Sequence, residues 1–191
     1  KGTRMEIGNI GRSDLRVSLV GLGCNNFGRL DIESSRKVVH RALDLGVTLF
    51  DTADIYGEKG GSEEQLGEIL GPRRKDIVLA TKFGMAMSET RVGASRPYIL
   101  QAVEDSLKRL KTDWIDLYQL HQPDPNTPIE ETLGALNDLV RAGKVRHIGC
   151  SNLKAPQVKE AAHAARAKKL TPFISAQDEY SLLVRDVEAP A

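Results

Sequence analysis

The sequence is poor in several features that would mark a protein class. It has two cysteines, Cys24 and Cys150, in 191 residues. That is too few for a disulfide scaffold, and they lack metal-ligand spacing, so no metal is expected. Neither charge is in surplus: 27 Lys+Arg against 26 Asp+Glu leave a net charge of +1. A phosphate-binding surface needs a basic excess, so nucleic acid is not expected as the main partner. No apolar run approaches the ~18 residues of a membrane span, and no N-terminal stretch has the layout of a signal peptide. The expectation is no membrane partner and a reduced, cytoplasmic setting. A glycine-rich dinucleotide fingerprint is missing too, because Gly21-Leu22-Gly23-Cys24-Asn25-Asn26 lacks the third glycine at its place.

What is present is material for one sizeable core. The chain is 40% hydrophobic and 28% charged, with no linker or low-complexity tract, which predicts a single domain over 1–191. Residues 1–4 precede Met5 and are left out of the fold reading. From Met5 to Val17 apolar and polar residues alternate around Gly11-Arg12-Ser13-Asp14, the pattern of a small β-hairpin. Short apolar runs then alternate with segments of helical period. The runs are 17–22, 48–50, 77–81, 115–120, 145–150 and 173–176. Most are nearly continuous in apolarity, as in strands covered on both faces.

Five helices fall between them. Val38, Val39, Ala42 and Leu43 recur at helical spacing before Gly46. Ser62-Glu63-Glu64-Gln65 and Thr127-Pro128-Ile129-Glu130 each match a capping box. Pro97 and Pro156 sit where first helical turns accept proline. The chain's last residues, from Glu188 on, read as an incomplete helix. Strict β-α alternation predicts an α/β fold with a parallel sheet and right-handed crossovers. An open doubly wound sheet and a (β/α)8 barrel both satisfy the pattern.

In either architecture reactive groups gather beyond the C-terminal ends of the strands. Cys24-Asn25-Asn26 follows the first run, Asp51 the second, Lys82 the third, His121 the fourth, Ser151-Asn152 the fifth and Gln177 the sixth. Tyr56 lies five residues past Asp51 in a Gly-containing loop. Each alone has a plainer reading: Asp51 or Asn152 as a cap, Lys82 as a solvated charge, His121 as a hydrogen-bonded loop histidine, Cys24 as a small packed residue. Convergence on one rim points instead to a shared polar site.

Asp, Tyr, Lys and His together suit one kind of chemistry. A phenol with a pKa near ~10 is a poor acid at neutral pH, and a neighbouring ammonium is expected to lower that value. A carboxylate holds the buried ammonium charged, and an imidazole bonds the same acceptor that the phenol protonates. The set forms a general acid aimed at an oxygen gaining negative charge, as in carbonyl reduction.

The stretches Leu49-Phe50-Asp51-Thr52-Ala53-Asp54-Ile55-Tyr56-Gly57 with Ser62-Glu63-Glu64, Ala80-Thr81-Lys82, Asp116-Leu117-Tyr118-Gln119-Leu120-His121 and Gly149-Cys150-Ser151-Asn152 resemble the aldo-keto reductase superfamily. Within it the chain is most similar to bacterial oxidoreductases related to potassium-channel β-subunits. The resemblance implies a (β/α)8 TIM barrel whose bottom an N-terminal hairpin closes. Six strands against the implied eight give the expectation that the last two βα units are lacking. It also implies Tyr56 as acid/base with Asp51, Lys82 and His121 completing a tetrad. Ser151, Asn152 and Gln177 would hold a nicotinamide carboxamide, and Cys24, Asn25 and Asn26 would line the cofactor side. The implied cofactor is NADP(H), with NAD(H) the alternative, and the implied substrate a small carbonyl compound. A regulatory subunit of the channel β type and an inactive truncated fragment are the alternative functions. The segment 84–96, with its glycines and Met85 and Met87, is expected to form a mobile lid or pocket wall.

Overall fold

A computed structural model describes residues 5–188; the readings made of 1–4 and of 189–191 lie outside them. Two short strands, β1 (Ile7–Asn9) and β2 (Arg16–Ser18), pair antiparallel with Gly8 opposite Val17. They are the hairpin expected from the alternation. A six-stranded parallel sheet follows, made of β3 (Gly21–Gly23), β4 (Leu49–Asp51), β5 (Val78–Phe83), β6 (Ile115–Leu120), β7 (Val145–Ser151) and β8 (Ala176–Gln177). The apolar run 17–22 is therefore not one strand. It breaks at the exposed pair Leu19-Val20 between hairpin and sheet. The buried Ser18 holds the break: its hydroxyl accepts from Thr48 N at 2.9 Å and donates to Val20 O at 2.6 Å. Of the run 173–176 only Ala176 is in a strand, the two-residue β8 that ends at Gln177.

The spatial order is β3-β4-β5-β6-β7-β8, identical to the chain order. A doubly wound sheet reverses its order at a switch point, and no reversal occurs here. The sheet is also curled. Asp51 on β4 and Gln177 on β8 share a 3.1 Å hydrogen bond, although four strand spacings of ~4.8 Å would part them by about 19 Å in a flat sheet.

Five helices cover the convex face: α1 (Ile32–Asp44), α2 (Tyr56–Leu70, broken by a left-handed stretch at 57–60), α3 (Arg96–Leu110), α4 (Ile129–Arg141) and α5 (Ala155–Lys168). Asp31 caps α1, accepting from the Ser34 amide at 2.9 Å and the Ser34 hydroxyl at 2.6 Å. Neither capping box forms as the sequence predicts. The Ser62 hydroxyl donates to Cys24 O at 2.7 Å and meets Thr52 Oγ1 at 2.7 Å. The Thr127 hydroxyl donates to Asp124 at 2.7 Å. Ser62 is thus engaged by tertiary partners and Thr127 by a carboxylate three residues back, and neither hydroxyl turns to the helix amide.

The core divides in two. The larger part fills the space between sheet and helices, around Phe50, Leu79, Phe83, Tyr118 and Leu136. The smaller lies inside the curl at its lower end, where Leu15 and Val17 of the hairpin region meet Ala80 and Leu117. The hairpin thus closes the bottom, and His147 Nε2 lies 3.1 Å from Asp14 Oδ1 at its turn. The opposite end of the curl carries the polar residues.

Candidate active site

Strand alternation decides which side chains enter the curl. Register pairs Asp51 with Ala80, Ala80 with Leu117, Lys82 with Gln119, Gln119 with Gly149, and Ser151 with Gln177. Leu117 lies in the inner core, so Gln119, two residues on, faces the same interior one layer higher. Lys82 stands opposite it on β5.

Lys82 is 1% exposed. Its ammonium donates to Asp51 Oδ2 at 2.6 Å and to the Thr52 carbonyl at 3.0 Å. Burying an ammonium this deeply is costly unless it is paired, and Asp51 supplies the pair. The Lys82 Nζ lies 5.2 Å from the centroid of the Tyr56 ring. Tyr56 meets His121 edge to face, with ring centroids 5.6 Å apart. The four residues singled out from the sequence are therefore neighbours.

Their electrostatics differ from the expectation in one respect. The Tyr56 phenol is raised above its usual range, first by burial and then by the Asp51 carboxylate. Burial and the Asp51 carboxylate outweigh the lowering expected from lysine. Tyr56 therefore stays protonated. Burial, with Lys82 adding to it, pushes His121 down to about 4, so the imidazole is neutral at physiological pH. Its Nδ1 is buried without a hydrogen-bond partner among the described residues, as is Asp51 Oδ1.

The residues expected to hold a cofactor gather at the adjoining strand ends. Asn152 Nδ2 donates to the His121 carbonyl at 2.9 Å and to Ser151 Oγ at 3.0 Å. Asn152 sits at φ 60°, a left-handed conformation asparagine tolerates better than most. Gln177 Nε2 donates to Asp51, and its Oε1 accepts from Gln119 Nε2 at 2.9 Å. Two amides and a hydroxyl at one rim offer the donors and acceptors a carboxamide requires, so these residues fit the nicotinamide end of such a cofactor. Asn25 and Asn26 are exposed on the loop after β3. Cys24 is not exposed with them: it is fully buried, and burial and Asp51 both drive its thiol pKa upward, which leaves it a packed, unreactive group.

Three participants escaped the sequence reading. Thr52 acts through its backbone, which composition does not reveal. Gln119 could have been found by stepping two residues back from His121 along the strand. Asp54 is discussed below. The segment 84–96 is tied down more than a lid would be: Gly93 N donates to Gly84 O at 3.0 Å, Ala94 N to Asp124 Oδ2 at 2.7 Å, and Met87 is buried.

Comparison with known proteins now bears on this geometry. The model of the Aldo/keto reductase family matches residues 19–190. The chain belongs to this family. It is 38% identical to Aldo-keto reductase YhdN of Bacillus subtilis (strain 168), over 96% of this chain and 56% of that protein. It is 37% identical to the probable voltage-gated potassium channel subunit beta of Oryza sativa subsp. japonica, over 95% of this chain and 57% of that protein. Among solved structures it is similar to the aldo-keto reductase AKR11C1 from Bacillus halodurans in its holo form. That match has a TM-score of 0.82 at 38% identity and covers 92% of this chain and 58% of the other. The chain thus spans less than two thirds of the length of these relatives.

Proposed function

We propose that this aldo-keto reductase chain carries the reaction centre of an NADP(H)-dependent reductase of small aldehydes or ketones. We further propose that in the full-length protein the curled sheet is part of a (β/α)8 barrel. The observation that carries the reading is the cluster itself: Lys82 paired to Asp51 at 2.6 Å, with the Tyr56 ring within reach of both Lys82 and His121. The free, buried cysteines Cys24 and Cys150 accord with a reduced cytoplasmic setting.

The residues divide the work as follows. Ser151, Asn152 and Gln177 hold and orient the carboxamide of the nicotinamide, which supplies the hydride when bound. Tyr56, protonated in the free site, gives its proton to the substrate oxygen as that oxygen gains charge. As the phenolate forms, the Lys82 ammonium offsets part of its charge, and Asp51 holds the ammonium in place. Neutral His121 donates one N–H to the same oxygen and orients the carbonyl. NAD(H) would serve the same residues, because the carboxamide end is common to both cofactors.

The test is stopped-flow NADPH oxidation by the full-length protein with an aromatic aldehyde. Tyr56→Phe removes the acid and should lower kcat at least about a hundredfold, with cofactor affinity little changed. Wild-type turnover in that variant would refute the assignment. Tight NADPH binding with negligible turnover in the wild-type protein would favour instead a regulatory role, as the similarity to a channel β-subunit invites.

A further inference from the structure

Behind the site, on the convex side of the sheet, lies a second ionisable cluster that the reaction does not use. Asp54 is 1% exposed, and neither carboxylate oxygen has a hydrogen-bond partner among the described residues. Glu63 of α2 is fully buried. It accepts from Thr81 Oγ1 at 2.6 Å and from Arg109 Nε of α3 at 2.7 Å. Arg91, Tyr98 and Tyr118 also lie around Asp54, with Asp105 beside Tyr98 and Arg109. The Tyr98 and Tyr118 hydroxyls and Arg91 Nε are buried and likewise without a hydrogen-bond partner among the described residues.

The cluster is joined to Tyr56 by the backbone. Asp54 stands two residues before Tyr56, and its N–H donates to the Lys82 carbonyl at 3.0 Å. After Tyr56 come four consecutive residues of positive φ: Gly57 at 66°, Glu58 at 61°, Lys59 at 72° and Gly60 at 124°. Gly57 and Gly60 bear this freely, but Glu58 and Lys59 are strained there and persist only where surroundings fix them. One wall is the loop after β3, since a Cβ on Gly57 would lie 2.3 Å from Phe27 O. The other is Arg109, whose Cδ would lie 2.7 Å from a Cβ on Gly60. Arg109 is itself held by Glu63.

We propose that Asp54, Glu63 and Arg109 are positioning residues for Tyr56: they seat the left-handed turn 57–60 and so fix where the phenol points. The proposal rests on the assignment of Tyr56 above. Arg109 is bonded to Glu63 and not to Asp54, but an ionised Asp54 carboxylate attracts its guanidinium through space, so the seating depends on the protonation of Asp54. That protonation is felt by Glu63, Arg91, Tyr98, Arg109 and Tyr118. Burial and Glu63 push the Asp54 carboxyl up to about 7, which places the change within the working range.

Asp54→Asn is the first test, since it keeps the side-chain shape and removes the titration. Kinetics of NADPH oxidation by the full-length protein, from about pH 5 to about pH 9, should show a near-neutral limb in kcat that the variant lacks. In the variant kcat should fall about tenfold, with KM for aldehyde within about twofold. Infrared spectra below neutral pH should show a buried carboxylic-acid band in the wild type that Asp54→Asn removes. Arg109→Met should also lower kcat, and Arg109→Lys should recover part of it. If Arg109→Met does not fold, the Asp54→Asn result decides. A wild-type protein without the band, or an Asp54→Asn profile that overlays the wild type, overturns the proposal. If that happens while Tyr56→Phe abolishes turnover, the network alone is wrong. If Tyr56→Phe turns over normally, the site assignment fails and the network falls with it.

Discussion

His121 and Asp54 titrate over the same pH range with opposite consequences for stability. His121 is held down at about 4 by burial and by Lys82, against about 6.5 in an unfolded chain. Its contribution is present above 6.5 and is lost as pH falls toward 4, because there the unfolded chain binds the extra proton. Asp54 is the reverse. Raised to about 7 by burial and Glu63, it favours the fold fully below about 4 and loses that contribution as pH rises through 7. Each is worth on the order of a few kcal/mol, so in the wild-type protein they largely cancel between pH 4 and 7. Asp54→Asn removes one side of this balance. Its Tm, followed by circular dichroism, should fall steadily from about pH 6.5 to about pH 4, while the wild-type Tm changes much less. A variant curve as flat as the wild type would place one of the two shifts in error.

The elements show the same economy at their lower ends. Trp114, just before β6, lies between two guanidiniums, Arg74 at 4.6 Å and Arg146 at 5.0 Å from its ring. Asp116, 1% exposed, collects their charge: Arg74 Nη1 and Arg146 Nη1 each lie 2.8 Å from its carboxylate. Trp114 Nε1 donates to it at 3.1 Å and Leu79 N at 3.0 Å. One carboxylate thereby ties β5, β6, β7 and the 3-10 turn Gly71–Asp76 together. Asp116→Ala leaves the buried Arg74 uncompensated and should cost about 3–5 kcal/mol in urea unfolding. Most of the elements were legible beforehand, since period and punctuation suffice for helices such as α3 and α4 and for the long strands β5 to β7. What escaped were choices made by tertiary partners. Ser62 looks like a cap, but its hydroxyl is engaged by Cys24 O and Thr52 Oγ1; Thr127, more locally, bonds back to Asp124. The run 17–22 looks like one strand until Ser18 bonds Thr48. The site was legible because alternation and strand ends place Asp51, Lys82, His121 and Ser151. The Asp54 cluster was not, because its members lie on different elements and converge only on the convex face.

Across the whole molecule, stability and reaction occupy different levels of the curled sheet. On β5 the inward residues run from Val78 and Ala80, which pack on the inner core, to Lys82 at the site. Steps of two residues separate these levels by about 7 Å. On β6 the same climb leads from Leu117 to Gln119 and then His121. The lower level is apolar and sealed by Leu15 and Val17, and the upper level is polar and hydrogen-bonded. A cavity made below should therefore cost folding energy without touching the reaction centre. Leu117→Ala removes a side chain that is 4% exposed and should destabilise the protein by about 3 kcal/mol. The pairing of Lys82 with Asp51 lies a layer above and is anchored separately through Thr52 O. Urea unfolding should show the shifted midpoint, while kcat at a temperature where the variant is folded stays within about twofold of wild type. A large loss of kcat with an unchanged midpoint would mean that the two levels are mechanically coupled and that the hairpin plug acts on the site.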